Sequence, residues 1–313
     1  MMIELPQRCF VGRVNPRWFA RVRPLYLNYT GSETLTDFQV KCTLTSSDIP
    51  FEKLRDDKRD LLFVDRNNEI IPYWIEKADN TEIIVWLKFP EIIPGKEIFW
   101  LYYGNSGFAG RESDAQEIFN FFDDFDEDTS SQYAIIKYAS TSGSFTIEPG
   151  NSWAKTDTSS AHMAWRSSES FSQRGYIVET VAKTGDDDVV GIGWLQSDGK
   201  GYAGYVREDP NYDGGIDKKN STSEKFDYPE ATLSEAPPSV THHWYYIKLS
   251  LTEDSVLLYV KDQENNFEAN ATLSDTSYIG GAPALISGAN NPEAYYKYLR
   301  VRQYAVVEPV IET

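Results

Sequence analysis

The chain is poor in cysteine, histidine and methionine and has no long apolar run. Two cysteines and three histidines, scattered through 313 residues, are too few and too far apart for a structural zinc site. Cys9 and Cys42 lack a CxxC spacing, and pairing is decided by geometry, so a disulfide and two free thiols both stay open here. No stretch of about 18 apolar residues occurs, so no membrane-spanning helix is expected. The opening MMIELPQRCFVGR lacks a basic start leading into an apolar run, so no secretory signal is expected in this chain. Positive charge is also scarce: 30 basic against 48 acidic residues leave a net charge of −18. That field repels nucleic-acid backbones and anionic membranes, and no basic stripe interleaved with aromatics offsets it in the sequence.

What the chain has in quantity is aromatic side chains, with 20 Tyr, 16 Phe and 8 Trp. These suit pleated, half-buried surfaces and also build binding faces. Alternation and turn residues predict strands over 21–29, 38–44, 61–65, 70–77, 82–88 and 97–103. Their even spacing is the rhythm of a small β-sandwich. Phe38, Val40, Cys42 and Leu44 fall on one side of their strand, which directs Cys42 into a core. A capping box at Ser113-Asp-Ala-Gln116 predicts one or two helical turns where the first domain ends. A second set of strands is expected over 176–183, 189–196, 201–207, 244–251, 255–261 and 295–304. Tyr245, Ile247, Leu249 and Leu251, then Val256, Leu258 and Val260, alternate on either side of Thr252-Glu253-Asp254, as a hairpin with one wet and one dry face does. Residues 209–238, rich in Gly, Asp, Lys, Ser and Pro, read as a long loop. The expected organisation is a sandwich over 1–119, a second over 120–305 and a short frayed tail over 306–313.

Several stretches together resemble the DUF2341 family: Leu35-Thr-Asp-Phe-Gln-Val40, Asp60-Leu-Leu-Phe-Val-Asp65, Ile71-Pro-Tyr-Trp-Ile-Glu76, Ile84-Val-Trp-Leu-Lys88 and Leu101-Tyr-Tyr-Gly-Asn105, with Trp18 and Phe119…Phe122-Asp-Asp-Phe125 at the flanks. The resemblance covers roughly residues 15–125. It implies a β-sandwich module of prokaryotic, often archaeal, surface and envelope proteins, with no catalytic residues to carry over. Such modules are often followed by a domain similar to concanavalin-like and laminin-G-like jelly rolls. Phe121-Phe-Asp-Asp-Phe125, the hairpin at 244–261 and the closing Tyr298-Leu-Arg-Val-Arg-Gln-Tyr304 resemble that fold.

Catalysis on such a fold needs two carboxylates about 5–9 Å apart, and on a strand these would stand at alternate positions. That signature is absent: Asp186-Asp-Asp188 reads as a charged turn, and Glu179 has no acidic partner two residues on. A non-enzymatic role is therefore expected. Calcium is the expected small partner, with Asp123, Asp124 and Asp126 as its ligands, because hard cations take clustered carboxylate oxygens. The resemblance would put a further carboxylate near the last strand, where this chain has Lys297. Sugar recognition pairs aromatic faces with polar hydrogen bonds, and Trp165, Trp194, Tyr202, Tyr205 and Tyr212, together with Trp153, are the candidates. The resulting expectation is a cell-surface, extracellular or virion protein serving adhesion or assembly, through glycan binding or contacts with neighbouring protein copies. A purely structural subunit and, more weakly, a polysaccharide-cleaving enzyme are the alternatives.

Overall fold

The computed structural model describes residues 18–313 except 109, 111, 140–142, 152, 158–160, 186–187, 208–213, 227, 239–241 and 290–292. The architecture is all-β, and the described chain separates into two units, 18–118 with 305–313 and 119–304.

The first unit contains β1 (Arg21–Tyr29), β2 (Leu35–Thr45), β3 (Leu61–Val64), β4 (Tyr73–Ala78), β5 (Glu82–Ile92) and β6 (Gly95–Tyr103), followed by the short helix α1 (Ala115–Ile118). One antiparallel sheet runs β2-β5-β4. The other runs β1-β6-β3 with a further strand beside β1, formed by Val310–Glu312 at the end of the chain. Alternate residues of the two sheets meet in one core, including Leu25, Leu27, Phe38, Val40, Leu44, Phe63, Val85, Leu87, Phe99 and Leu101. Cys42 lies in that core as a free thiol, pushed up to about 12 by burial and by the charge of Asp48. Cys9 lies outside the described residues. The cap of α1 is Asp114 rather than Ser113: its carboxylate accepts from Gln116 N at 3.1 Å and its carbonyl from Glu117 N at 2.9 Å. The closing residues do not fray. Ile311 packs on the core, Glu312 pairs with Lys96, and Thr313 Oγ1 donates to Asp48 at 2.7 Å, which anchors a strand too short to show alternation in sequence.

The second unit contains β7 (Phe121–Asp123), β8 (Tyr133–Tyr138), β9 (Ser144–Glu148), β10 (Trp153–Asp157), β11 (Ala161–Ser167), β12 (Tyr176–Thr184), β13 (Val189–Leu195), β14 (Gly201–Arg207), β15 (Gly215–Lys219) and β16 (Ala231–Thr232). Then follow β17 (Tyr245–Leu251), β18 (Val256–Asp262), β19 (Glu268–Leu273), β20 (Ala282–Ala289), β21 (Glu293–Tyr296) and β22 (Leu299–Gln303); the Val310–Glu312 strand of the first unit is β23. A seven-stranded sheet runs β16-β15-β14-β13-β20-β11-β8, and a nine-stranded sheet runs β19-β18-β17-β12-β21-β10-β9 with β22 and β7 at its side. The chain passes from one sheet to the other at β7–β8, β8–β9, β10–β11, β11–β12, β12–β13, β16–β17, β19–β20 and β20–β21, in jelly-roll fashion. Trp165, Trp194, Tyr202 and Leu285 from one sheet interlock with Val178, Tyr245, Ile247, Leu249 and Val301 from the other.

The hairpin β17–β18 forms as expected, with Thr252 Oγ1 accepting from Ser255 N and donating to Asp254 at 2.9 Å. The expected strand over 295–304 is two strands along one line. Tyr296 and Leu299 both enter the core, so the two residues between them bulge outward, held by Lys297 N donating to Val181 O at 2.9 Å. The expected loop over 209–238 instead carries β15 and β16. Its apolar alternation is hidden because β15 buries Asp217 and Lys219 as an ion pair at 2.6 Å.

Candidate functional site

The aromatic residues singled out from sequence are placed differently from the expectation. Trp165, Trp194, Tyr202 and Tyr205 are fully buried, and Tyr212 lies outside the described residues. Trp194 and Tyr202 do face each other on neighbouring strands, but they point into the space between the sheets. Phe171 and Tyr176 stack on Trp194 with ring centroids 5.4 and 5.8 Å away. Tyr205 points to the other side of the same sheet, where Phe226 covers it at 6.2 Å. None of the four offers a face to a sugar. Alternation along a strand cannot reveal this, because both sides of the seven-stranded sheet are covered.

The acidic residues are likewise engaged within the protein. The Asp123 carboxylate accepts from Phe125 N at 3.0 Å, Thr129 Oγ1 at 2.6 Å and Tyr133 OH at 2.8 Å. Asp124 accepts from Asp126 N at 3.3 Å, and burial raises its carboxyl above the ordinary carboxylate range, with the charges of Asp126 and Asp123 adding to the rise. These three residues therefore build a turn rather than the expected calcium cage. Among the described residues no group of three or more His, Cys, Asp or Glu side chains is placed to hold a metal ion. Asp188, buried, pairs with Arg207 at 3.7 Å. Burial pushes Asp217 up to about 7 even though Lys219 opposes the rise, and the nearby Glu230 adds to it. Glu179 is fully buried on the outer side of β12. Burial alone would raise it, but Arg302 and Arg300 hold its carboxyl well below the usual range, and Tyr246 OH donates to it at 2.7 Å. In the first unit, a cavity of 510 Å³ is bordered by Asp65, Glu69, Lys88, Glu97 and Glu117.

The outer face of the nine-stranded sheet carries a different arrangement. Ala154, Ala182, Ala294, Tyr245 and Tyr296 enter the core, so their chain neighbours face outward. Register then sets Lys155 opposite Tyr295 and Tyr295 opposite Lys183, with Trp244 alongside, in one row across β10, β21, β12 and the start of β17. Trp153 stands one pleat along from Lys155, and the bulge after β21 places Lys297 beside Trp244. The ring centroid of Trp153 lies 5.3 Å from that of Tyr295 and 6.3 Å from that of Trp244. Lys183 Nζ sits above this triad, 4.9 Å from Trp244, 5.1 Å from Tyr295 and 5.9 Å from Trp153. Lys297 Nζ lies 4.4 Å over Trp244. Acidic residues fix the rims: Trp153 Nε1 donates to Glu148 at 3.0 Å, Tyr295 OH donates to Glu293, and Lys155 pairs with Glu293 at 2.6 Å. All three residues are partly exposed. Of this group only Trp153 was legible as a binding candidate, since the others share a patch through register alone.

The chain is similar to the exoplasmic/lumenal domain of VIP36 in a Ca²⁺-bound form, at 11% identity and TM-score 0.43, over 61% of this chain and 95% of that one. It is similar to the carbohydrate-binding module CBM66 from Bacillus subtilis at 15% identity and TM-score 0.39, over 58% and 96%. Lectin I-B4 from Griffonia simplicifolia, in a metal-free form, is similar at 9% identity and TM-score 0.42, over 59% and 99%. No curated protein matches the chain. The family described as a domain of unknown function, DUF2341, matches residues 57–156, spanning the later strands of the first unit and the first strands of the second.

Proposed function

We propose that residues 119–304 form a carbohydrate-binding module, with the outer face of the nine-stranded sheet as its binding surface and no catalytic step. The observation that carries this reading is the triad of Trp153, Tyr295 and Trp244, each partly exposed, with Trp153 oriented by Glu148 and Tyr295 by Glu293. Fixed aromatic planes suit the C–H faces of pyranose rings, and the surrounding carboxylates and ammonium groups suit their hydroxyls. Aromatic side chains of this size on a sheet already holding its core on the other face have no packing task within the second unit that requires exposure. In keeping with a non-catalytic role, two buried carboxylates of the unit are engaged within it: Glu179 is locked between two arginines and Asp123 by its turn. A location outside a cell or on a virion belongs to the same proposal, since polysaccharide ligands are displayed there.

The test is retention of the protein on a panel of immobilised neutral and acidic polysaccharides, with calcium and with a chelator. Wild type should be retained equally under both conditions. Trp153→Ala and Trp244→Ala should each weaken binding about tenfold, or 1.4 kcal/mol, with unchanged melting temperature. Binding that neither substitution weakens would remove the assignment.

A further inference from the structure

The charge balance of this face says more about its ligand. Lys155 has its counter-ion in Glu293 at 2.6 Å. Lys183 and Lys297 have none: among the described residues no carboxylate lies within ion-pair distance of either ammonium, and their close contacts are to aromatic rings. Glu264 is the acid whose charge reaches Lys297, but its own oxygens accept from Trp244 N at 3.3 Å and approach His243 Nε2 to 3.7 Å. The two ammonium groups feel each other, since burial and then the charge of Lys183 lower the pKa of Lys297. Among the described residues of a chain with 48 acidic side chains, this aromatic outward face thus holds two cations with no carboxylate at ion-pair distance. Both ammonium groups stand close to the ring centroids, so a sugar that stacks here also meets two cations. An acidic sugar keeps both contacts, the anion meeting the ammonium groups and the ring meeting the aromatics.

Resting on the carbohydrate reading of the same face, we infer that the bound glycan is acidic, with a carboxylate or sulfate group seated between Lys183 and Lys297 and its sugar ring against Trp244. The net charge of −18 shapes the ligand further. A densely charged polyanion is repelled at a distance, whereas isolated acidic groups spaced by neutral sugars meet the local cations within a screening length of about 8 Å at physiological salt.

The experiment uses the full chain and matched pairs of biotinylated polysaccharides in biolayer interferometry. Partly de-esterified pectin is compared with fully methyl-esterified pectin for carboxylates, and carrageenan with agarose for sulfates. An oligothymidylate serves as a non-glycan anion. Wild type should bind the acidic member of one pair at least about tenfold more tightly than its neutral counterpart, which also identifies the acid. Lys183→Gln and Lys297→Gln should each erase most of that difference, while Lys183→Arg should keep it, with all melting temperatures matched. Equal binding within both pairs, insensitive to the glutamine substitutions but weakened by Trp244→Ala, overturns the acidic ligand and leaves the carbohydrate reading standing. No binding to any of the four polysaccharides overturns both. Tighter binding of the oligothymidylate than of either acidic glycan overturns both in favour of a nucleic-acid face.

Discussion

Trp194 shows how one residue can be read correctly as to its strand and wrongly as to its role. The sequence places it on a strand adjacent to that of Tyr205; the register sets it opposite Tyr202, and its ring is stacked against Phe171 and Tyr176 inside the core. Trp194→Ala should therefore cost about 3–5 kcal/mol by leaving a cavity. Urea denaturation checks this: a midpoint near wild type would contradict the placement. Glu179 makes the same point from the polar side. A search for an acidic neighbour two residues along the strand finds none, because its partners Arg300 and Arg302 arrive from β22, over a hundred residues later. Cys42 was legible to the level of its core-facing side, and burial leaves its thiol protonated near neutral pH.

At the scale of elements, alternation recovered β1 and β14 at their observed bounds and β17–β18 as a hairpin with its turn. It failed where side chains on the covered face are charged, as in β15, and where a strand is only three residues long, as in β23. The β23 pairing gives a direct prediction. Deleting residues 306–313 exposes the edge of β1 and removes Ile311, the Lys96–Glu312 pair and the Thr313–Asp48 hydrogen bond. The deletion should lower the melting temperature by several degrees, on the order of 1–2 kcal/mol, and speed amide exchange in β1. Unchanged exchange over Arg21–Tyr29 would show that the strand holds its place without β23. The bulge between β21 and β22 adds one residue that returns Leu299 to the core, while Lys297, already outward as the neighbour of Tyr296, lies over Trp244.

For the whole molecule, the balance of charge should be visible in the pH dependence of stability. Asp217, pushed up to about 7 in the fold against about 3.9 in an unfolded chain, binds more protons folded than unfolded between those values. Its contribution to stability therefore rises as pH falls from about 7 toward 4, and is a cost above that window. Glu179 acts in the opposite sense: its lowered pKa stabilises the fold above about 4.3, and that contribution is lost only at lower pH. Between pH 4.5 and 7 the Asp217 contribution should be seen, and Asp217→Asn should flatten the dependence of the urea midpoint on pH. Parallel curves for the variant and wild type would refute the assignment.

The amino-acid sequence by itself determined an all-β chain of two sandwiches, most strand positions, the inward side of Cys42 and the acidic overall field. These depend on local periodicity, turn residues and counts, which a linear chain displays in full. Which aromatics are covered and which are offered to solvent was decided by tertiary structure, because covering a sheet face takes another layer brought from elsewhere in the chain. The same holds for the cationic, aromatic face. No basic stripe exists along the sequence, yet Lys155, Lys183 and Lys297 converge with Trp153, Trp244 and Tyr295 because antiparallel register lays distant strands side by side about 4.8 Å apart.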